Sequence, residues 1–126
     1  LLIVDDSIEI REIMADLITR ATKLEILHAS DGIEALELLA GTQVDVIILD
    51  EKMPRMGGHE CFAKIRERSI HTPVIFCTGT PDQGLMNREL HMGAFDYLSK
   101  PFKPEVLILL VRDAFQAMQR IKSKTA

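Results

Sequence analysis

Four runs in the chain end abruptly on residues able to bind or react. The run Leu1-Leu2-Ile3-Val4 ends in Asp5-Asp6, residues 44–49 end in Asp50, residues 74–77 end in Thr78-Gly79, and residues 95–98 end in Ser99-Lys100-Pro101. Carboxylates brought together repel, so holding them requires raised pKa values or a cation between them. A ligand set of oxygens without His or Cys selects a hard divalent ion, and Mg²⁺, which keeps several waters, suits a site with few protein ligands. Lys100 would add a second positive charge. Together they would attract a dianion such as a phosphoryl group, whose transfer depends on charge neutralisation and in-line positioning more than on acid–base work. A carboxylate can itself be the nucleophile and form an acyl phosphate. Asp50 is the choice for that role, because it stands at a strand tip between the longest of these apolar runs and the turn residues Met53-Pro54-Arg55-Met56-Gly57-Gly58.

Positioning these groups together requires a particular set of elements. The continuous apolar runs 1–4, 44–49 and 74–77 suit strands buried on both faces, as in a parallel sheet covered by helices. Residues 24–29 and 95–98 are mixed with Glu25, His28 and Asp96, as expected of outer strands. Between them, Ile10, Ile13, Met14, Leu17, Ile18 and Ala21 recur at helical spacing, and so do Leu107, Leu110, Val111, Ala114, Phe115 and Met118 after a first-turn Pro104. Asp31 and Asp82 read as caps of shorter helices, and a further helix should occupy about residues 58–68. The order is a β-α unit repeated through the chain. It predicts right-handed crossovers and an α/β fold, (βα)5, with a five-stranded parallel sheet and helices on both faces. In such a sheet, ligands bind outside the carboxyl ends of the strands, where the reactive residues collect.

Composition removes several other classes. At 126 residues the chain is expected to be one domain with one core, and 47% hydrophobic with 27% charged residues excludes disordered and collagen-like readings. A net charge of −4 provides no field for nucleic acid or anionic membrane. No apolar run approaches a membrane span, and Cys61 and Cys77 read as core thiols of a reducing compartment, so the cytoplasm is expected. The start on a strand without an initiator Met suggests an excerpt. Residues 1–119 are expected to form the domain and residues 120–126 a polar tail or the start of a linker.

Four motifs in register resemble the receiver domain of two-component response regulators, and the chemotaxis regulators in particular. They are Val4-Asp5-Asp6-Ser7, the D-x-x-M-P-x-M-x-G stretch from Asp50 to Gly58, Thr78, and Lys100-Pro101-Phe102. The resemblance implies a flavodoxin-like, doubly wound sheet in the strand order 2-1-3-4-5, and that Asp50 accepts a phosphoryl group from a sensor histidine kinase or a histidine phosphotransfer protein. It implies Mg²⁺ held by Asp6, Asp50 and the Lys52 backbone carbonyl, with Asp5 acting through metal-bound water. It further implies that Thr78, Gly79 and Lys100 stabilise the phosphoryl oxygens, and that Lys100-Pro101 is a cis peptide. Thr78 and Tyr97 would form a switch acting on the face of the fourth helix, fifth strand and fifth helix. Such a switch would control an output domain or effector, and phosphorylation-dependent homodimers are compatible with it. The protein would then be a switch rather than a turnover enzyme. Three departures stand out: Glu51 where an apolar residue is commoner, expected to point to water; Gly79 in place of alanine; and Lys52 at a position that tunes phosphoryl lifetime.

Each residue also has a plainer reading. Asp6-Ser7-Ile8-Glu9 is a capping box by itself, Asp50 could be a solvated turn residue, Thr78 a strand end, Lys100 a surface lysine and Tyr97 edge packing. His28, His59, His71 and His91 form no metal spacing and read as surface or loop residues. Two alternative functions remain. One is an aspartyl phosphatase, disfavoured because Lys52 stands where such enzymes want a second acid. The other is an unphosphorylated interaction module, which would have no reason to keep repelling carboxylates.

Overall fold

In the computed structural model, which describes residues 1–125, the elements are β1 (Leu2–Val4), α1 (Ile8–Ala21), β2 (Leu27–Ala29), α2 (Gly32–Gly41), β3 (Ile47–Asp50), α3 (Gly58–Glu67), β4 (Val74–Thr78), α4 (Gln83–His91), β5 (Asp96–Ser99) and α5 (Pro104–Thr125). All neighbouring strands are parallel and their order is 2-1-3-4-5. The three continuous apolar runs occupy the centre of the sheet, as expected of strands covered on both faces.

Alternation along the strands divides the interior into two layers. Leu2, Val4, Ile47, Leu49, Val74 and Phe76 face α2 and α3, where they meet Leu36, Leu39, Phe62 and Ile65. Ile3, Ile48, Ile75, Cys77 and Leu98 face the other way, against Met14 and Ile18 of α1 and Leu107, Val111 and Ala114 of α5. Burial at this density supplies the main driving force for folding, at roughly 25 cal/mol per Å² of apolar surface removed from water.

The helix starts carry their own signals. Ser7 caps α1 by accepting from the Ile10 amide at 3.3 Å, Asp31 caps α2 through the Glu34 amide at 2.9 Å, and Asp82 caps α4 through the Leu85 amide at 3.1 Å. The cap of α1 is thus Ser7 and not Asp6, which is exposed. Ile13, counted in the stripe of α1, faces solvent at 52% exposure. Residues 120–125, expected as a polar tail, continue α5. That stretch holds no Gly or Pro to stop a helix, Ile121 is half-buried, and Lys122 reaches Asp45 at 2.5 Å. Ala126 lies outside the described residues. Among the described residues, no helix is long and apolar enough to cross a membrane.

Candidate functional site

The site is a product of strand register. Val4 pairs with Leu49, so the next residues, Asp5 and Asp50, leave the sheet side by side. Asp50 pairs with Cys77, which sets Thr78 one step further out, and Thr78 pairs with Ser99, which delivers Lys100. Carboxylate oxygens of Asp5, Asp6 and Asp50 all lie within 4.8 Å of one another. Asp5 and Asp50 are buried and Asp6 is exposed. The Lys100 ammonium bridges the buried pair, 2.9 Å from Asp5 and 3.3 Å from Asp50.

Electrostatics follow from this packing. Burial, together with the neighbouring Asp5 charge, holds the Asp50 carboxyl above the ordinary carboxylate range, although Lys100 pulls it down. Burial works against the Lys100 charge, but its bond to Asp5 and the Asp50 carboxylate outweigh that and leave its pKa raised. Asp5 is fully engaged: one oxygen accepts from the Ser7 amide at 2.9 Å and the other from Lys100. Asp50 accepts from the Glu51 amide at 2.9 Å. The oxygen-only donor set, with one exposed carboxylate facing water, fits a hard divalent ion.

The remaining expected residues are near. The Thr78 hydroxyl is buried and accepts from the Thr80 amide at 3.1 Å. Gly79 is exposed, and a Cβ there would meet only the Lys100 side chain at 3.9 Å, so nothing in the packing demands glycine. Lys52 is exposed, and the Lys100-Pro101 peptide is cis. Tyr97 is half-buried, stacks on Phe76 with ring centroids 5.1 Å apart, and donates its hydroxyl to Glu89.

Several contacts that shape the site were not expected from the sequence. Arg11 of α1 donates to the Asp5 backbone carbonyl and so ties the acidic loop to the first helix. Gly58 packs against the carbonyl of Asp50 too closely for any side chain. Glu51, expected in water, is buried at 8% exposure, and burial raises its pKa. His59, expected at the surface, is half-buried between Glu51 and Glu89. One signal was available: Glu89 follows Leu85 and Met86 at helical spacing, so it occupies the sheet-facing stripe of α4 where an apolar residue belongs.

Residues 1–112 match the response regulator receiver domain family. The chain belongs to that family. Among its relatives, this receiver domain is 34% identical over 124 residues to the regulatory protein AtoC of Escherichia coli strain K12, covering 98% of the chain and 26% of that protein. It is 36% identical to a chemotaxis protein CheY homolog of Campylobacter jejuni, covering 85% of each. The chain therefore spans about a quarter of the first relative and most of the second. Among solved structures, the chemotaxis response regulator CheY4 of Vibrio cholerae superposes with a TM-score of 0.81 at 35% identity, over 90% of this chain and 95% of that one. The signal receiver domain of a putative Luxo repressor protein from Vibrio parahaemolyticus gives 0.94 at 25% identity, over 99% and 95%. The chain is thus a response regulator receiver domain with a doubly wound sheet.

Proposed function

We propose that this receiver domain is a phosphoacceptor switch in which Asp50 takes a phosphoryl group from the histidine of a sensor kinase or histidine phosphotransfer protein. The observation that carries the reading is a buried Asp50 held 3.3 Å from the Lys100 ammonium, with two more carboxylates within 4.8 Å. An Asp50 oxygen would attack phosphorus while the P–N bond of the donor breaks. The bonding pair returns to nitrogen, and the ring leaves as neutral imidazole when its other nitrogen already carries a proton. Lys100, the Thr78 hydroxyl and the Gly79 amide would hold the transferred oxygens.

Mg²⁺ fits the donor set. Asp6, Asp50 and the Lys52 carbonyl would hold it, and Asp5, with both oxygens already engaged, would act through bound water. Bound there, the ion would supply charge neutralisation for the phosphoryl oxygens. Residues 1–119 would form the phosphoacceptor unit, and Thr78 with Tyr97 would pass its state to the α4–β5–α5 face and to an output partner. A cytoplasmic setting fits two free, buried cysteines, both with pKa values pushed up to about 12 by burial. The net charge of −4 gives no reason to assign nucleic-acid binding to this segment.

The test is labelling with acetyl phosphate and Mg²⁺. One phosphoryl group per chain is expected, lost in Asp50→Asn while the far-ultraviolet circular dichroism stays unchanged. Uptake by Asp50→Asn would overturn the nucleophile, and steady turnover of unrelated phosphoesters would favour a phosphatase instead.

A further inference from the structure

Next to Asp50 in the chain begins a second cluster, built from three different elements. Glu51 follows β3, His59 stands in the first turn of α3, and Glu89 is the buried residue of α4. His59 Nδ1 donates to Glu89 at 2.5 Å, and Nε2 lies 3.5 Å from the Glu51 carboxylate. Glu89 also receives the Tyr97 hydroxyl. The Phe76 ring is stacked between His59 and Tyr97, at 5.8 and 5.1 Å.

We infer that Glu51, His59 and Glu89 form a polar relay that couples the state of Asp50 to the position of Tyr97. This rests on the phosphoacceptor reading of Asp50. Two observations favour a relay over a passive structural cluster. Burying two carboxylates is costly, and apolar residues of similar size would hold α4 more cheaply. Yet α4 turns Glu89 inward while Leu90 and Met92 remain exposed at 42% and 48%. A helix clasped by hydrogen bonds can exchange one set of partners for another, which gives it discrete alternative arrangements.

The direction of coupling follows from charge. Glu51 adjoins Asp50 in the chain and donates its amide to the Asp50 carboxylate. A phosphoryl group on Asp50 adds negative charge beside the Glu51 carboxylate and displaces it, and the His59 ring, in contact with both carboxylates, shifts away from Glu89. Glu89 then loses one of its two donors, and Tyr97 re-seats with it. A metal ion is the competing reading of this cluster, because one ligand atom from each of Glu51, His59 and Glu89 lies within 4.8 Å of the others.

The sequence contains one tyrosine and no tryptophan, so intrinsic emission reports on Tyr97 alone. Acetyl phosphate with Mg²⁺ should label Asp50 and change that emission in the wild-type chain. His59→Leu, and the more conservative His59→Gln and Glu89→Gln, should be labelled to within twofold of wild type yet keep less than a fifth of the emission change. A merely structural role would lower stability without separating the two readouts. A full emission change in labelled, folded His59→Leu or His59→Gln would overturn the relay alone. Absence of Asp50 labelling in the wild type would overturn the underlying reading. Stoichiometric Zn²⁺ binding lost in His59→Gln would replace the relay with a metal site.

Discussion

Gly58→Ala opposes two effects of known size. Gly58 is the first residue of α3, and its backbone lies outside the left-handed region, so conformational freedom is not why glycine is there. Helix propensity alone would favour alanine by at most about 1 kcal/mol. Space argues the other way. A Cβ at this position would stand 2.2 Å from the Asp50 carbonyl oxygen, 3.0 Å from its carbon and 3.1 Å from the Glu51 Cα. All three are backbone atoms, so no side chain can swing aside. Overpacking of this kind costs about 1–3 kcal/mol, and the contact is short enough to take the upper figure. Separating the segments also strains the 2.9 Å bond from the Gly58 amide to the Glu51 carbonyl, a loss of about 1 kcal/mol. The net expectation is a destabilisation of about 3 kcal/mol, or roughly 10 °C in Tm for a chain of this size. Urea melts would show it as a lower midpoint at unchanged slope. Because the displaced atoms belong to Asp50 itself, acetyl phosphate labelling should slow as well. A variant as stable as wild type that labels at the wild-type rate would refute the argument that β3 and α3 meet through this glycine.

Lys100→Met should leave Asp5 and Asp50 facing each other without their shared ammonium, and slow labelling of Asp50 about a hundredfold, measured as the initial rate at saturating Mg²⁺. Mg²⁺ should raise Tm, with about 2.7 kcal/mol gained at a hundred times its Kd, and Asp6→Asn should weaken that response. Asp31 bonds Arg55 at 2.6 and 3.1 Å, and that bond holds its carboxyl below the ordinary range. A depressed folded pKa stabilises the protein above the unfolded value of about 3.9, and this contribution is lost as pH falls through the folded pKa. Arg55→Ala should therefore flatten the acid limb of the stability–pH curve, and an unaltered limb would count against the pairing.

The parallel β-α architecture and the edge where chemistry collects were legible in the residues themselves, while the strand order followed from the family resemblance. Continuous apolar runs mark strands covered on both faces, and the parallel β-α repeat puts every strand's carboxyl end on one side, so Asp5, Asp50, Thr78 and Lys100 had to converge. Periodicity was informative there because local pattern and global packing agree. The surroundings of Glu51, His59 and Glu89 were not legible. His59 and Glu89 are 30 positions apart, and apart from the place of Glu89 in the sheet-facing stripe of α4 each resembles an ordinary surface residue. Which carboxylates are buried depends on where α3 and α4 dock over β3 and β4, and docking geometry is a property of the assembled layers. The same holds for Ser7 in place of Asp6 as the cap of α1: both residue types can cap, and the structure places the Ser7 hydroxyl on the Ile10 amide. Residue types and spacing thus determined the parallel β-α architecture and the edge where the reactive residues collect. Only the tertiary structure decided which polar groups leave water, because desolvation depends on neighbours that sequence distance does not reveal.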